Sequence, residues 1–200
     1  MRLTKIISII LHPSFMPLIV FYMSIKLIPN IGFAIISYLP FIYVVLFLGT
    51  ILLPLTSVFI LLHAGQITSI ELYRKKERPV PLLIASIWCT CSYYILQDIL
   101  IFAPILNSIL SGAIIIIICS SIISAFWKIS LHMLGVGGGF GVLFSLNFLF
   151  GGLSSLIIIT LIICGILGVA RNLEKAHNHT QIYAGFILGF LIECGSVLFT

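Results

Sequence analysis

Seven apolar stretches run through this chain, each about long enough to cross a bilayer as a helix, and they leave it few other ways to fold. A spanning helix needs about 20 mostly apolar residues. The stretches run from about Ile7 to Ile28, Phe41 to Leu62, Leu82 to Gln97, Ile99 to Phe126, Met133 to Phe150, Leu153 to Ala170 and Ile182 to Leu198. Charged side chains make up 8% of the 200 residues, where a soluble domain carries about 25%. They are too few to cover a water-facing surface. The sequence therefore predicts an all-α, polytopic integral membrane bundle, with residues 1–200 forming a single transmembrane domain.

Breaks between the stretches have local causes. Pro40 suits the start of the second helix, and Pro54 bends it unless neighbours take up the freed carbonyl. A tight turn is expected at Asp98, with the fourth helix beginning at Ile99 or beyond Pro104. Gly151-Gly152 supplies the turn between the fifth and sixth. The start, Met1-Arg2-Leu3-Thr4-Lys5 followed by apolar residues, has the outline of a signal peptide. No clear small-residue cleavage site follows, so an uncleaved first helix is expected. The five cysteines, Cys89, Cys91, Cys119, Cys164 and Cys194, lie in or beside apolar runs and read as small hydrophobes.

Counting seven crossings puts the N-terminus and segments 63–81, 127–132 and 171–181 on one side of the membrane. That side holds Arg2, Lys5, Arg74, Lys75, Lys76, Arg78, Lys128, Arg171 and Lys175, leaving only Lys26 outside. The positive-inside rule makes such a face cytoplasmic. The expected location is a plasma or inner membrane. The formal net charge of +5 then marks orientation and an anionic substrate, and no nucleic-acid partner is expected.

Three polar clusters share this face. Glu71 to Pro81 carries Lys75, Lys76 and Arg78. Trp127 to His132 runs straight into a glycine-rich helix, and Ala170 to Gly185 carries Arg171, His177 and Gln181. Together they bring Arg78, Ser130, His132, Arg171 and His177 to one depth. Arginines grip phosphate oxygens with paired hydrogen bonds, and a serine hydroxyl adds another donor. One histidine can attack phosphorus while a second protonates the departing oxygen.

Arg78-Pro79, Ser130-Leu131-His132 and Arg171-x5-His177, followed by Gly185, make the chain resemble the phosphatidic acid phosphatase type 2 superfamily of membrane lipid phosphatases. That family's pattern is K-x6-R-P, then P-S-G-H, then S-R-x5-H-x3-D. The resemblance covers residues 71–198 and implies a six-helix lipid-phosphatase-like core that hydrolyses phosphate or diphosphate esters without metal or other cofactor. It implies that Arg78 and Arg171, helped by Ser130, hold phosphate, that His177 is the nucleophile and that His132 is the general acid. Glu71 stands in place of the pattern's lysine, and Lys75 and Lys76, about a turn away, can replace that charge. Leu131 and Ala170 replace a glycine and a serine. Gln181 replaces the aspartate that orients the nucleophile. Its amide oxygen can fix the histidine tautomer but supplies no charge.

Two functions follow from this reading. One is a phosphohydrolase acting on a lipid phosphate or polyprenyl diphosphate. The other is a catalytically weak or inactive relative that binds lipid phosphate or a membrane partner. The run Gly135 to Gly141 lacks the G-K-[S/T] of a phosphate-binding loop and reads as close helix packing. Asp98 and Glu193 are expected near the far face, outside the polar site, and leave a transport path as a lesser reading without visible repeats to support it.

Overall fold

The computed structural model describes residues 3–200, so Arg2, counted above among the charges of one face, lies outside the described residues. Among the described residues the fold is an all-α bundle of seven helical spans. They are Leu3–Leu27, Pro29–His63, Lys75–Leu100, Pro104–Phe126, Leu131–Phe150, Ser154–Leu173 and His179–Leu198, all long and apolar enough to cross a membrane. Large apolar side chains cover the outside. On the sixth span Ile158, Ile162, Ile166 and Val169 are exposed, a stripe that water would penalise and lipid accommodates. These outward faces support an integral membrane location.

Prolines shape the first two spans. His12-Pro13 ends the helix Leu3–Ile10, and a single 3₁₀ turn, Pro13–Phe15, joins it to Met16–Leu27. The second span opens as 3₁₀ turns over Pro29–Tyr38 before the α-helix Leu39–Phe47. It therefore begins well before Phe41, because proline-led turns continue the path of the chain without an α-helical ladder. Ahead of Pro54, which cannot donate to the preceding turn, Leu48–Leu52 widens into a π-helix in which the Leu53 N–H reaches the Leu48 carbonyl. Gly49 lies there against Ser92 and the Trp88 carbonyl of the third span.

Asp98 is not at a turn. The helix Pro79–Leu100 runs through it, and Ile101 to Ala103 form the break, with Pro104 opening the next helix. Proline is tolerated in a first turn, where its missing N–H would have had no partner, so the boundary falls at Pro104 rather than Ile99.

The fifth span is the most enclosed, and glycine is the reason. A methyl on Gly137 would strike the Phe186 carbonyl, and one on Gly141 would lie 2.7 Å from the Phe190 carbonyl. Across the same seam, Gly185 faces the Ser130 carbonyl and Gly189 faces that of Leu134. Two small-xxx-small faces thus pack backbone to backbone. This contact brings the starts of the fifth and seventh spans together, with Ser130 N–H donating to the Gln181 carbonyl at 3.3 Å.

One end of the bundle collects the polar segments. Lys75 Nζ donates to the Phe126 carbonyl at 3.0 Å, and Arg78 Nη1 donates to the Ile129 carbonyl at 2.9 Å. Ser8 of the first span meets Glu174 after the sixth. At the other end, the Thr200 hydroxyl bonds Ser108 at 2.7 Å.

Candidate functional site

Below the polar end lies a cavity of about 880 Å³. Arg78, His132, Arg171 and His177 form part of its wall, and apolar residues such as Val20, Phe21, Ile109 and Ile116 continue it into the bundle. It is therefore charged at the membrane face and greasy beneath. Ser130, Gln181, Lys75 and Lys76 do not line it.

Arg78 immediately precedes the helix Pro79–Leu100 and is only 4% exposed. Its Nε donates to the Leu72 carbonyl at 2.9 Å and its Nη1 to that of Ile129. Leu72 presents that carbonyl from a left-handed backbone conformation, φ 52°. A guanidinium has five N–H donors, so the remaining donors are free for a ligand.

Arg171 occupies the last turn of the sixth span. Its Nη1 donates to Glu174 at 2.7 Å and to the Ser8 hydroxyl at 3.2 Å. Its Nε is buried without a partner. The i,i+3 spacing of Arg171 and Glu174 signals this pair in the sequence, whereas Ser8 comes from a distant helix that carries no motif.

His177 lies in the short connection before the seventh span and is buried. Asn178 caps that span: its side chain accepts from the Gln181 N–H at 2.9 Å, while Gln181 Oε1 accepts the Asn178 N–H at 3.3 Å. This reciprocal capping box points the amide oxygen of Gln181 towards His177, whose Nδ1 lies 3.0 Å away. An oxygen there must receive a proton, so Nδ1 carries the hydrogen and the Nε2 lone pair is left free. Burial pushes the His177 pKa down to about 4; the Gln181 hydrogen bond opposes this, while Arg78, Arg171 and Lys128 add to it. The ring is neutral near pH 7. Lys128, which stands among the same cations, has its own pKa lowered by burial and then by Arg78 and Arg171.

His132 sits in the first turn of the fifth span, where its Nε2 donates to the Ser8 carbonyl at 3.0 Å. Its ring meets that of His12 edge to face at a centroid separation of 5.4 Å. His12, just before the break at Pro13, also lines the cavity, and its Nδ1 accepts the Ser14 N–H. Ser130 is fully buried and its hydroxyl has no partner. Lys76 is exposed, and Lys75 is committed to the Phe126 carbonyl.

Glu193 departs from expectation. It is 4% exposed in the bundle interior, packed over Gly112 and Gly138, and it lines the cavity that also reaches His177. Its Oε2 has no hydrogen-bond partner. The glycines make room for it, since a Cβ on Gly112 would lie 2.6 Å from that oxygen. Among the described residues, no three His, Cys, Asp or Glu side chains gather as a metal-binding group. No family model, curated protein or solved structure matches the chain.

Proposed function

We propose that the cavity takes a lipid phosphate or a polyprenyl diphosphate and that the protein hydrolyses it without metal, through a phosphohistidine at His177. In this reading the helices around the cavity are a six-helix lipid-phosphatase-like core, and the polar face is cytoplasmic in a plasma or inner membrane. The observation that carries it is the chain Asn178 N–H to Gln181 Oε1 to His177 Nδ1. It leaves a neutral Nε2 lone pair near the buried Arg78 and the half-buried Arg171. The apolar depth of the cavity suits a lipid chain whose phosphate stays at the rim.

Arg78 and Arg171 neutralise the phosphate oxygens. Nε2 of His177 attacks phosphorus and the bond from phosphorus to the leaving oxygen breaks. His132 supplies that oxygen's proton. With Nε2 donating to the Ser8 carbonyl, the bare Nδ1 takes the proton of the bound phosphate's P–OH and hands it to the leaving oxygen. Water then attacks the phosphohistidine, gives a proton back to His132, and phosphate leaves. Positioning and charge stabilisation supply most of the acceleration. Ser130 and Lys75 support the site from outside the wall.

A second reading, a binding protein of the same build, draws on the neutral amide at Gln181. Gln181 brings no negative charge to His177 as its ring becomes cationic. In a serine protease triad the corresponding acid-to-amide change costs about 10⁴ in turnover.

Purified protein in detergent, with chelator present, is expected to release phosphate from dioctanoyl phosphatidic acid or farnesyl diphosphate. His177→Ala is expected to abolish release, and Gln181→Asp to raise it. Release that survives His177→Ala refutes the phosphohistidine. No release, with binding retained, selects the second reading.

A further inference from the structure

Building on the anion site proposed above, we infer that Glu174 is an internal competitor for Arg171, seated where a ligand's phosphate oxygen would go. Its carboxylate holds Arg171 Nη1 at 2.7 Å and accepts from the Ser8 hydroxyl at 3.4 Å, and both residues of the ion pair line the cavity. The pair is sheltered, the two side chains being 14% and 19% exposed, so water and salt screen it weakly. Glu174 directly follows the sixth helix, at its C-terminal cap. There the helix dipole favours a cation and opposes an acid, so local helix electrostatics give no reason for a carboxylate. Arg171 does. Its Nε, buried and unpartnered, shows that Glu174 satisfies the guanidinium incompletely. A phosphate group brings more oxygens and more charge, and can engage donors that the carboxylate leaves idle.

The consequence is a threshold on ligand charge. A cationic pocket at the depth of lipid headgroups faces a large excess of phosphodiester lipids, each with a single negative charge. Any ligand must displace Glu174 from Arg171, which weakens every anion by the same factor. A terminal phosphate or diphosphate, with a second charge for Arg78 to neutralise, still binds. A phosphodiester falls below occupancy. The same carboxylate returns to Arg171 as inorganic phosphate departs, so product does not linger. Glu174 is a specificity-determining residue acting through repulsion and occupancy.

The test is equilibrium binding of three probes to purified protein in detergent: inorganic phosphate, dioctanoyl phosphatidic acid and dioctanoyl phosphatidylglycerol. Glu174→Gln and Glu174→Ala are each expected to tighten all three by about tenfold, the scale of one charge-assisted hydrogen bond. Phosphatidylglycerol binding should become measurable only in these variants. Arg171→Ala should weaken binding, and adding Glu174→Gln to it should restore nothing, because the competitor acts through Arg171. If Glu174→Gln leaves binding unchanged or weakens it while Arg171→Ala still weakens it, Glu174 positions the arginine and the inference is overturned, with the anion site intact. If no variant binds any probe, the anion site and the inference fall together.

Discussion

Acidification from pH 7 to pH 4 protonates His177 in the unfolded chain well before it does so in the folded one. An exposed histidine titrates near 6.5, and burial together with Arg78, Arg171 and Lys128 brings His177 down to about 4. Between those values the unfolded state binds the extra proton, so stability rises with pH across this window. The contribution is complete above pH 6.5 and is lost as pH falls towards 4. At 1.36 kcal/mol per pKa unit, the loss from this one ring is about 3 kcal/mol. The assay is unfolding by SDS in mixed micelles, followed at several pH values for wild type and His177→Asn. Asparagine keeps a polar group there but does not titrate, so the difference between the two profiles isolates the ring from the glutamates. Wild type should lose about 3 kcal/mol more than the variant between pH 7 and pH 4. Parallel profiles would refute the argument, since the ring would then be as well solvated folded as unfolded.

Two further outcomes follow from the packing and from the arrangement of the spans. Gly189→Leu should cost about 3 kcal/mol or more and prevent recovery of folded protein, because its side chain meets the Leu134 carbonyl. Gly165→Ala should be neutral or slightly stabilising, because that position faces open space within a helix; equal loss in both would disprove the seam. Single reactive cysteines introduced at Lys76 and Lys175 should label from the same side of a vesicle, with one at Thr200 labelling from the other. Division of Lys76 from Lys175 would rule out the cavity wall described above.

The seven spans were legible because apolar length is a strong signal, and Pro104 and Gly151-Gly152 mark their own boundaries. The glycine run was legible as packing. Its partner face, Gly185 and Gly189, was hidden because two glycines in an apolar helix look ordinary until the facing carbonyls are known. Of the motif residues, Arg78, His132, Arg171 and His177 share one cavity wall, as parity of the crossings suggests. Ser130, Lys75 and Lys76 do not line it, because spacing along a chain cannot tell a side chain facing a cavity from one turned into protein or water. Ser8 and His12 were missed for a related reason. Neither belongs to a motif: Ser8 meets Arg171 and His132 from the first helix, and His12 meets His132 from the end of it. The position of Glu193 in the last helix points to the far face. Its burial depends on Gly112 and Gly138 from two other helices, which no single-helix pattern reveals.

The glycine seam also divides the polar site into two mechanically unequal halves. His177, Gln181 and Ser130 ride on the fifth and seventh spans, whose backbones touch and therefore move as one piece. His132 and Arg171 take part of their orientation from Ser8, through single hydrogen bonds to a span interrupted at Pro13. A displacement of that first span releases the His132 ring and loosens Arg171 while the His177–Gln181 geometry stays fixed. The nucleophile is anchored in the frame; the proton donor shares that backbone, but its ring, like the Arg171 guanidinium, is steered by a hinged strut.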